Sequence, residues 1–317
     1  MLDSRRSHRP PIDIPATHQA FGLFWHFSFP FAAFSPAPGS VSADVVVDFA
    51  SLPPIPADPA NDNRRSRIDS AEVNFELDDI GRFQISGGDR ILVDPYADGD
   101  REMMKLILMG AASALLLHQR GWLPLHGSGI ATPFGAALFV GHSGAGKSST
   151  LAAFVKRGFP MICDDLASIQ FDSDNKPRVF PGVPLYKLWA DSAQALQVKT
   201  ETLSRVREQL EKFMVPATSR QTAATLAVHT IYQIEIHDQP TLSLVEENNA
   251  AKFNVLLDHT WQNLTLRRMG LQGVNFQRLV NLANHVRVVT VRRPRQAPEL
   301  GIEQLAACVE ADLLAQQ

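Results

Sequence analysis

Residues 141–148, with the sequence GHSGAGKS, are the feature that most constrains how this chain folds. They have the spacing of a phosphate-binding loop, in which a glycine and four further residues precede Gly-Lys-Ser. The glycines allow turns that direct successive backbone N–H groups at phosphate oxygens, and the helix that follows points its positive end at the same anion. The apolar run 136–140 is typical of a buried strand and 149–157 of a helix. The motif therefore predicts a strand–loop–helix unit that binds a nucleotide.

Two side chains of this loop carry specific chemistry. Lys147 supplies a mobile positive charge for the β- and γ-phosphates, and the Ser148 hydroxyl is a magnesium ligand. The sequence thus predicts a nucleoside triphosphate and Mg²⁺ as the bound groups. The positions predicted to contact the nucleotide are Gly141, Ser143, Gly144, Ala145, Gly146, Lys147, Ser148 and Ser149.

A pair of carboxylates, Asp164 and Asp165, follows a strand predicted at 160–163. Sixteen residues separate Lys147 from Asp164, which is enough for one helix and a strand that returns to the same sheet. Ligands of open α/β sheets bind at the carboxyl ends of the strands, so both carboxylates are expected beside the phosphates. One of them can hold magnesium while the other takes the proton from an acceptor hydroxyl. The alternative is that the pair only caps a solvated turn.

The chain on either side of the loop divides by composition. Residues 1–18 are polar and are predicted to be a disordered tail, 19–98 a small, mostly β domain, and 99–317 the phosphate-loop domain. The apolar runs within 21–49 suggest a hairpin. Helices are predicted at 100–120, 190–198, 201–213, 250–257 and 302–314. The predicted fold class is α/β.

Bulk properties argue against several classes of partner. The net charge is −3 and the isoelectric point about 6.4, so the whole chain has no electrostatic reason to bind nucleic acid or an acidic membrane. The apolar run 106–117 is too short to cross a bilayer of roughly 30 Å. No export signal is convincing, and two cysteines do not indicate a disulfide framework. We therefore expect a cytoplasmic protein.

Residues 125–169 resemble the C-terminal catalytic domain of HPr kinase/phosphorylase, whose core is of the HPr kinase/PEP carboxykinase-like type. The matching features stand in the same order and with similar spacing: His126-Gly127, the glycine loop, Arg157-Gly158 and Asp164-Asp165. More loosely, residues 20–310 look similar to HPr-kinase-like proteins, some of them found with lasso-peptide maturation systems. That wider resemblance depends on 118–121, on 181–184 and on Leu188-Trp189.

The resemblance implies roles for individual residues. Lys147 and Ser148 would bind ATP and Mg²⁺, and Asp164 would be the base toward a serine hydroxyl, with Asp165 as a further metal ligand. His126, which on composition alone would be a structural or surface histidine, would assist close to the γ-phosphate. Relatives assemble into rings, so homo-oligomerisation is an open expectation.

The chain departs from the family pattern at two positions beside these motifs. Ser149 stands where an acidic residue usually follows Lys-Ser, and Phe159 stands where a histidine commonly follows Arg-Gly. These departures put the reverse, phosphate-driven dephosphorylation in doubt.

Three functions compete. The first is an ATP-dependent kinase that phosphorylates a serine-type hydroxyl of a peptide or small protein. The second is a nucleotide-binding regulatory module without kinase turnover, which Ser149 favours. The third, a GTPase switch, lacks its guanine-reading motif, because Asn175-Lys176 is followed by Pro177-Arg178. We expect the kinase.

Overall fold

The computed structural model describes residues 12–57, 65–261, 263–295 and 301–316. The described strands, numbered in chain order, are β1 (Ile12–Pro15), β2 (His18–Ala20), β3 (Leu23–Phe27), β4 (Ser35–Pro36), β5 (Ser42–Ala43), β6 (Val45–Phe49), β7 (Ser66–Ile68), β8 (Glu72–Leu77), β9 (Gly81–Ser86), β10 (Arg90–Pro95), β11 (Leu123–Leu125), β12 (Gly127–Thr132), β13 (Gly135–Val140), β14 (Met161–Cys163), β15 (Ala167–Phe171), β16 (Pro177–Phe180), β17 (Leu185–Trp189), β18 (Lys212–Pro216), β19 (Leu226–His237), β20 (Ser243–Glu246) and β21 (Arg287–Pro294).

The described helices are α1 (Arg101–Ile107), α2 (Ser113–Gln119), α3 (Lys147–Lys156), α4 (Ala190–Ala195), α5 (Asn249–Asp258), α6 (Asn263–Arg268), α7 (Gln272–His285) and α8 (Ile302–Leu314). A π-helical segment, Leu108–Ala112, joins α1 to α2, so the helix predicted at 100–120 is confirmed. Across the described part of the chain, no helix combines the length and the apolar character needed to cross a membrane.

Two compact units make up the chain. The first comprises Met1–Pro124 and Trp261–Arg278, and the second comprises Leu125–Thr260 and Leu279–Gln317. The predicted tail, 1–18, lies outside the described residues over 1–11, and β1 and the start of β2 occupy its remainder. The predicted domain ranges stay a prediction.

The first unit is built on a mixed sheet with the strand order β4-β2-β3-β6-β10-β9-β8-β7. Strand β6 runs parallel to both β3 and β10. The predicted hairpin within 21–49 is therefore wrong, because the strands of its two halves pair in parallel. The observed hairpin joins β2 to β3 through Phe21 and Gly22, both at positive φ. Aromatic side chains fill the core beside it, with Phe27 stacked on Phe31 at a centroid distance of 4.2 Å.

The second unit is built on a mixed sheet in which β15-β16-β19-β13-β12-β14 are neighbours in that order. Strand β21 pairs in parallel with β19, and β20 pairs with β21. Helices α3 and α8 cover the sheet, where Phe139, Phe154 and Tyr232 lie stacked in a buried apolar core. The predicted α/β class with a mostly β N-terminal region is confirmed.

The helix predicted at 201–213 is wrong. Its last two residues belong to β18, which pairs with β17 in a separate antiparallel hairpin, and Val206 N donates a hydrogen bond to Lys212 O over 2.7 Å. Tertiary strand pairing therefore overrides the helical propensity of this charged segment. The consequence for the site is large, since this hairpin brings side chains to the phosphate loop.

Candidate nucleotide and phosphoryl-transfer site

The strand before the phosphate loop and the strand before the two aspartates end at the same edge of the sheet. Strand β12 lies between β13 and β14 and is antiparallel to both, so β13 and β14 run in the same direction. The crossover through α3 therefore returns the chain to its own sheet, as predicted. This geometry brings the loop, Asp164 and Asp165 to one cleft within the second unit.

The loop packs against the sheet so closely that only glycine fits at its first position. Gly141 has a φ of +149°, and a Cβ on it would lie 2.6 Å from Ile234 O of β19. At the other end, Gly146 has a φ of +111° and is the N-cap of α3, which begins at Lys147. The N-terminus of α3 consequently points its free N–H groups into the cleft.

Lys147 lies folded against the loop. Its Nζ donates hydrogen bonds to Gly141 O over 2.7 Å and to His142 O over 3.3 Å. The side chain is largely buried, and this burial lowers the pKa of Lys147 although Asp164 and Asp165 act to raise it. A buried ammonium held only by carbonyl oxygens can turn to phosphate oxygens when a nucleotide binds.

Asp164 is the best-connected carboxylate of the site. Its Oδ1 accepts hydrogen bonds from Ser148 Oγ over 2.9 Å and from Ser128 Oγ over 2.6 Å. Its Oδ2 accepts a hydrogen bond from Lys187 N over 2.8 Å. The residue is buried, with 8% of its surface exposed, so these donors replace the water that the carboxylate has lost.

Asp165 has different partners. Its Oδ2 accepts a hydrogen bond from Lys187 Nζ over 2.8 Å, and its Oδ1 lies 3.3 Å from His126 Nδ1. Burial acts to raise the pKa of Asp165, but Lys187 and His126 outweigh it, so the pKa is lowered. The residue also has a φ of +73°, a conformation that non-glycine residues rarely adopt and that is often found at functional sites.

His126 lies between β11 and β12, directly before Gly127, and lines the cleft. Its Nδ1 is 3.1 Å from Asp165 O, and its backbone N donates a hydrogen bond to His259 O over 2.7 Å. Burial lowers its pKa and outweighs the opposing effect of Asp165, so the imidazole is neutral near pH 7. The ring nitrogen that faces Asp165 is then a hydrogen-bond donor rather than a cationic partner.

The Ser149 hydroxyl meets a serine of α4. Its Oγ lies 2.9 Å from Ser192 Oγ on α4, although both residues line the cleft. The other predicted contacts in the loop, from Ser143 to Ser148, also line the cleft. Gly141, the remaining predicted contact, sits behind them against β19.

The fold also brings to the cleft several residues that are not among the predicted catalytic, nucleotide-contacting or metal-binding positions. Lys187 and Trp189 come from β17, Lys212 from β18 and Arg293 from β21. Lys187 and Trp189 are two positions apart on one strand, which is a detectable alternation once β17 is known. Nothing in the local sequence shows that β17 pairs with β18, so the contribution of Lys212 depends on the tertiary fold.

The cleft has a volume of about 500 Å³, within the range of small-ligand sites. A nucleotide with magnesium needs one hydroxyl and one carboxylate from the protein, because phosphate oxygens and water complete the shell. Ser148 and Asp164, in direct contact, are such a pair. Among the described residues no group of three or more His, Cys, Asp or Glu could hold a metal by itself. The donor set therefore fits a magnesium ion that arrives with a nucleotide.

No family model and no curated protein matches this chain. Among solved structures, the Hpr(Ser) kinase/phosphatase from Coxiella burnetii is similar over 60% of this chain and 97% of its own. The sequence identity is 12% and the TM-score 0.31. This is a distant similarity of fold, and the functional argument below depends on the residues of the cleft.

Proposed function

We propose that this chain is an ATP-dependent kinase that transfers the γ-phosphoryl group to a serine-type hydroxyl of a peptide or small protein. One observation carries the proposal. The phosphate-loop hydroxyl of Ser148 is hydrogen-bonded to Asp164, and a second carboxylate, Asp165, lies next to it with its own set of partners. A nucleotide-binding protein without transfer needs the first carboxylate but not the second.

The hydrogen bonds favour a division of labour between the two aspartates. Asp164 shares its Oδ1 with Ser148, the expected magnesium ligand, so we assign Asp164 to the metal. When bound, Mg²⁺ would neutralise charge on the phosphates. This assignment exchanges the roles expected from the family resemblance, in which Asp164 is the base and Asp165 the metal ligand.

Asp165 is then the group that receives the acceptor's proton. As the hydroxyl oxygen bonds to the γ-phosphorus and the bond to the ADP oxygen breaks, the hydroxyl proton moves to a carboxylate oxygen of Asp165. A carboxylate of low pKa suffices, because phosphoryl transfer has a loose transition state and the proton leaves late. Lys187 and His126 fix the orientation of this carboxylate.

His126 acts as a neutral hydrogen-bonding group in this proposal. Its Nδ1–H faces Asp165, and the residue lines the cleft together with Lys147 and Ser148, within reach of a nucleotide bound at the loop. Lys147 covers the β- and γ-phosphates from the loop side. The proposal thus gives a role to each of the three predicted catalytic residues, Asp164, His126 and Lys147.

A second candidate, a nucleotide-binding regulatory module without turnover, is favoured by Ser149. The position after Lys-Ser is a serine and so supplies no acid to the cleft, and its hydroxyl lies 2.9 Å from Ser192 Oγ. Such a module would bind MgATP and would be indifferent to changes at Asp165.

The test compares Asp165→Asn with the wild type and with Asp174→Asn, a control in an exposed turn. MgATP affinity is measured by calorimetry and turnover by ADP release. The kinase proposal expects Asp165→Asn to bind MgATP nearly as the wild type does while its turnover falls by about 100-fold or more. Equal turnover in all three proteins would favour the binding module.

A further inference from the structure

The β17–β18 hairpin presents three cleft-lining side chains on one face. Lys187 and Trp189 are two residues apart on β17, and Lys212 of β18 lies directly opposite Trp189 in the antiparallel register. Side chains at such positions point to the same side of a sheet. The hairpin therefore directs two lysines and one indole at the phosphate loop.

The two lysines have different partners. Lys187 donates hydrogen bonds to both aspartates, from its backbone N to Asp164 and from its Nζ to Asp165. Lys212 Nζ instead lies over the Trp189 ring, 5.2 Å from its centroid. In the part of the chain that the structure describes, no carboxylate lies at ion-pairing distance from Lys212.

The charged side chains around Lys212 favour the binding of an anion. Burial and the neighbouring charge of Lys187 lower the pKa of Lys212 and outweigh the opposing effect of Asp164 and Asp165. The charge of Lys212 in turn lowers the pKa of Lys147. Three lysines and two aspartates meet here, so the group carries one positive charge in excess. A half-buried ammonium beside two like charges is stabilised when an anion enters the space between them.

We propose that Lys212 is a further catalytic residue, whose ammonium group leaves the Trp189 ring and contacts the γ-phosphoryl group during transfer. This rests on the proposed kinase function. Lys212 keeps its proton throughout, while the proton of the acceptor goes to Asp165 and the ADP oxygen is the leaving group. Its contribution is to neutralise charge on the transferred group, in addition to the charge that Lys147 supplies.

The test distinguishes contacts to the γ-phosphate from contacts to the rest of the nucleotide. Affinities for MgADP and for the magnesium complex of the β,γ-imido analogue of ATP are measured for the wild type, Lys212→Met and Lys212→Arg. Lys176→Met, in an exposed turn, is the control. We expect Lys212→Met to bind the analogue about tenfold or more weakly, because one charged contact is lost, and to bind MgADP within about twofold of the wild type. Lys212→Arg should recover part of the loss.

A second readout follows the indole. Trp189 is 43% exposed in the cleft, so its fluorescence should change when Lys212 leaves the ring for the analogue. That change should be absent in Lys212→Met and in Trp189→Phe. Lys212→Gln is measured in parallel, so that the comparison survives if one variant fails to fold.

Three outcomes would overturn the proposal. Unchanged analogue affinity in Lys212→Met would remove the γ-phosphoryl contact while leaving the kinase function intact. Equal losses for MgADP and the analogue would assign Lys212 to the diphosphate. The third outcome is that Lys212 contacts the γ-phosphate of the analogue but the wild-type protein transfers no phosphate. Lys212 would then have no catalytic role, and the proposed kinase function would fail as well.

Discussion

Ser148 Oγ donates a hydrogen bond to Asp164 Oδ1 over 2.9 Å, and this contact joins the phosphate loop to the end of β14. Ser128 of β12 donates to the same oxygen over 2.6 Å. Two other segments of the chain, the phosphate loop and β12, thus meet at one carboxylate oxygen. Because these hydrogen bonds fix the carboxylate beside Ser148, the two side chains form an organised pair of ligands for a magnesium ion that would arrive with ATP.

Lys147→Ala should abolish phosphate transfer and weaken MgATP binding by about tenfold or more, since the loss removes a charged contact to the β- and γ-phosphates. Calorimetry with MgATP and a turnover assay check this. Lys176→Ala, an exposed lysine in a turn, is the matched control. Full activity in Lys147→Ala would contradict the assignment of residues 141–148 as the phosphate-binding loop.

The two aspartates should respond differently to the same substitution. Asp164→Asn should raise the magnesium concentration required for ATP binding, because it removes a charged ligand beside Ser148. Asp165→Asn should leave that requirement unchanged and lower turnover. Titrating Mg²⁺ at fixed ATP for both variants shows which aspartate binds the metal. If Asp165→Asn instead raised the magnesium requirement and Asp164→Asn only lowered turnover, Asp164 would be the base.

The phosphate-loop region was predictable because its signals are local. The apolar run before Gly141, the glycines themselves and the aspartates after β14 each lie in one short segment, and right-handed crossover geometry fixes their common edge. The division of roles was not predictable. The proposed assignment depends on which carboxylate meets Ser148 and which meets the ammonium group of Lys187, and the order of the two aspartates in the sequence does not show this.

Gly141→Ala should destabilise the nucleotide-free protein by more than about 2 kcal/mol, since the added Cβ would collide with a backbone carbonyl and φ is positive. Gly144→Ala shares a positive φ but meets no atom within 4 Å, so it should cost only about 1 kcal/mol. Urea unfolding of both variants gives the comparison. Equal losses of unfolding free energy in the two variants would show that the close approach of Gly141 to Ile234 does not add to the cost of the substitution.

Asp312 should make stability depend on acid pH. It accepts hydrogen bonds from Tyr232 Oη over 2.6 Å and from Arg287, joining α8 to β19 and β21. Burial acts to raise the pKa of Asp312, but Arg287 and Tyr232 outweigh it and the pKa is lowered. A lowered folded pKa means that this stabilisation is complete above the unfolded pKa of about 3.9 and is lost as pH falls through the folded pKa.

Asp312→Asn should therefore cost about 1.5–3 kcal/mol at pH 7, the range for hydrogen bonds to a charged group, and its difference from the wild type should shrink below pH 4. Thermal and urea unfolding at roughly one-unit steps from about pH 3 to about pH 7 tests this. Asp238→Asn removes an exposed pair with Arg295 and should cost less than about 1 kcal/mol. A pH-independent loss at Asp312 would contradict the account.

The segment 201–213 shows where local reasoning fails. Its glutamates, arginines and two leucines favour a helix. Phe213 of β18 nevertheless pairs with Leu188 of β17, and Arg205 pairs with Phe213 in an isolated bridge. Pairing between distant strands leaves no periodic signal in a short charged stretch. By contrast, the helix predicted at 302–314 matches α8, because its apolar face packs on the sheet.

The most direct measurement is transfer of label from γ-labelled ATP with Mg²⁺ into peptides and proteins of a fractionated extract from the source organism. Wild type is compared with Asp165→Asn and with the exposed control Asp174→Asn. The account predicts a labelled acceptor with wild type and Asp174→Asn, and its loss with Asp165→Asn. MgATP binding without labelled acceptor or free phosphate in any of the three proteins would contradict the kinase and favour the binding module.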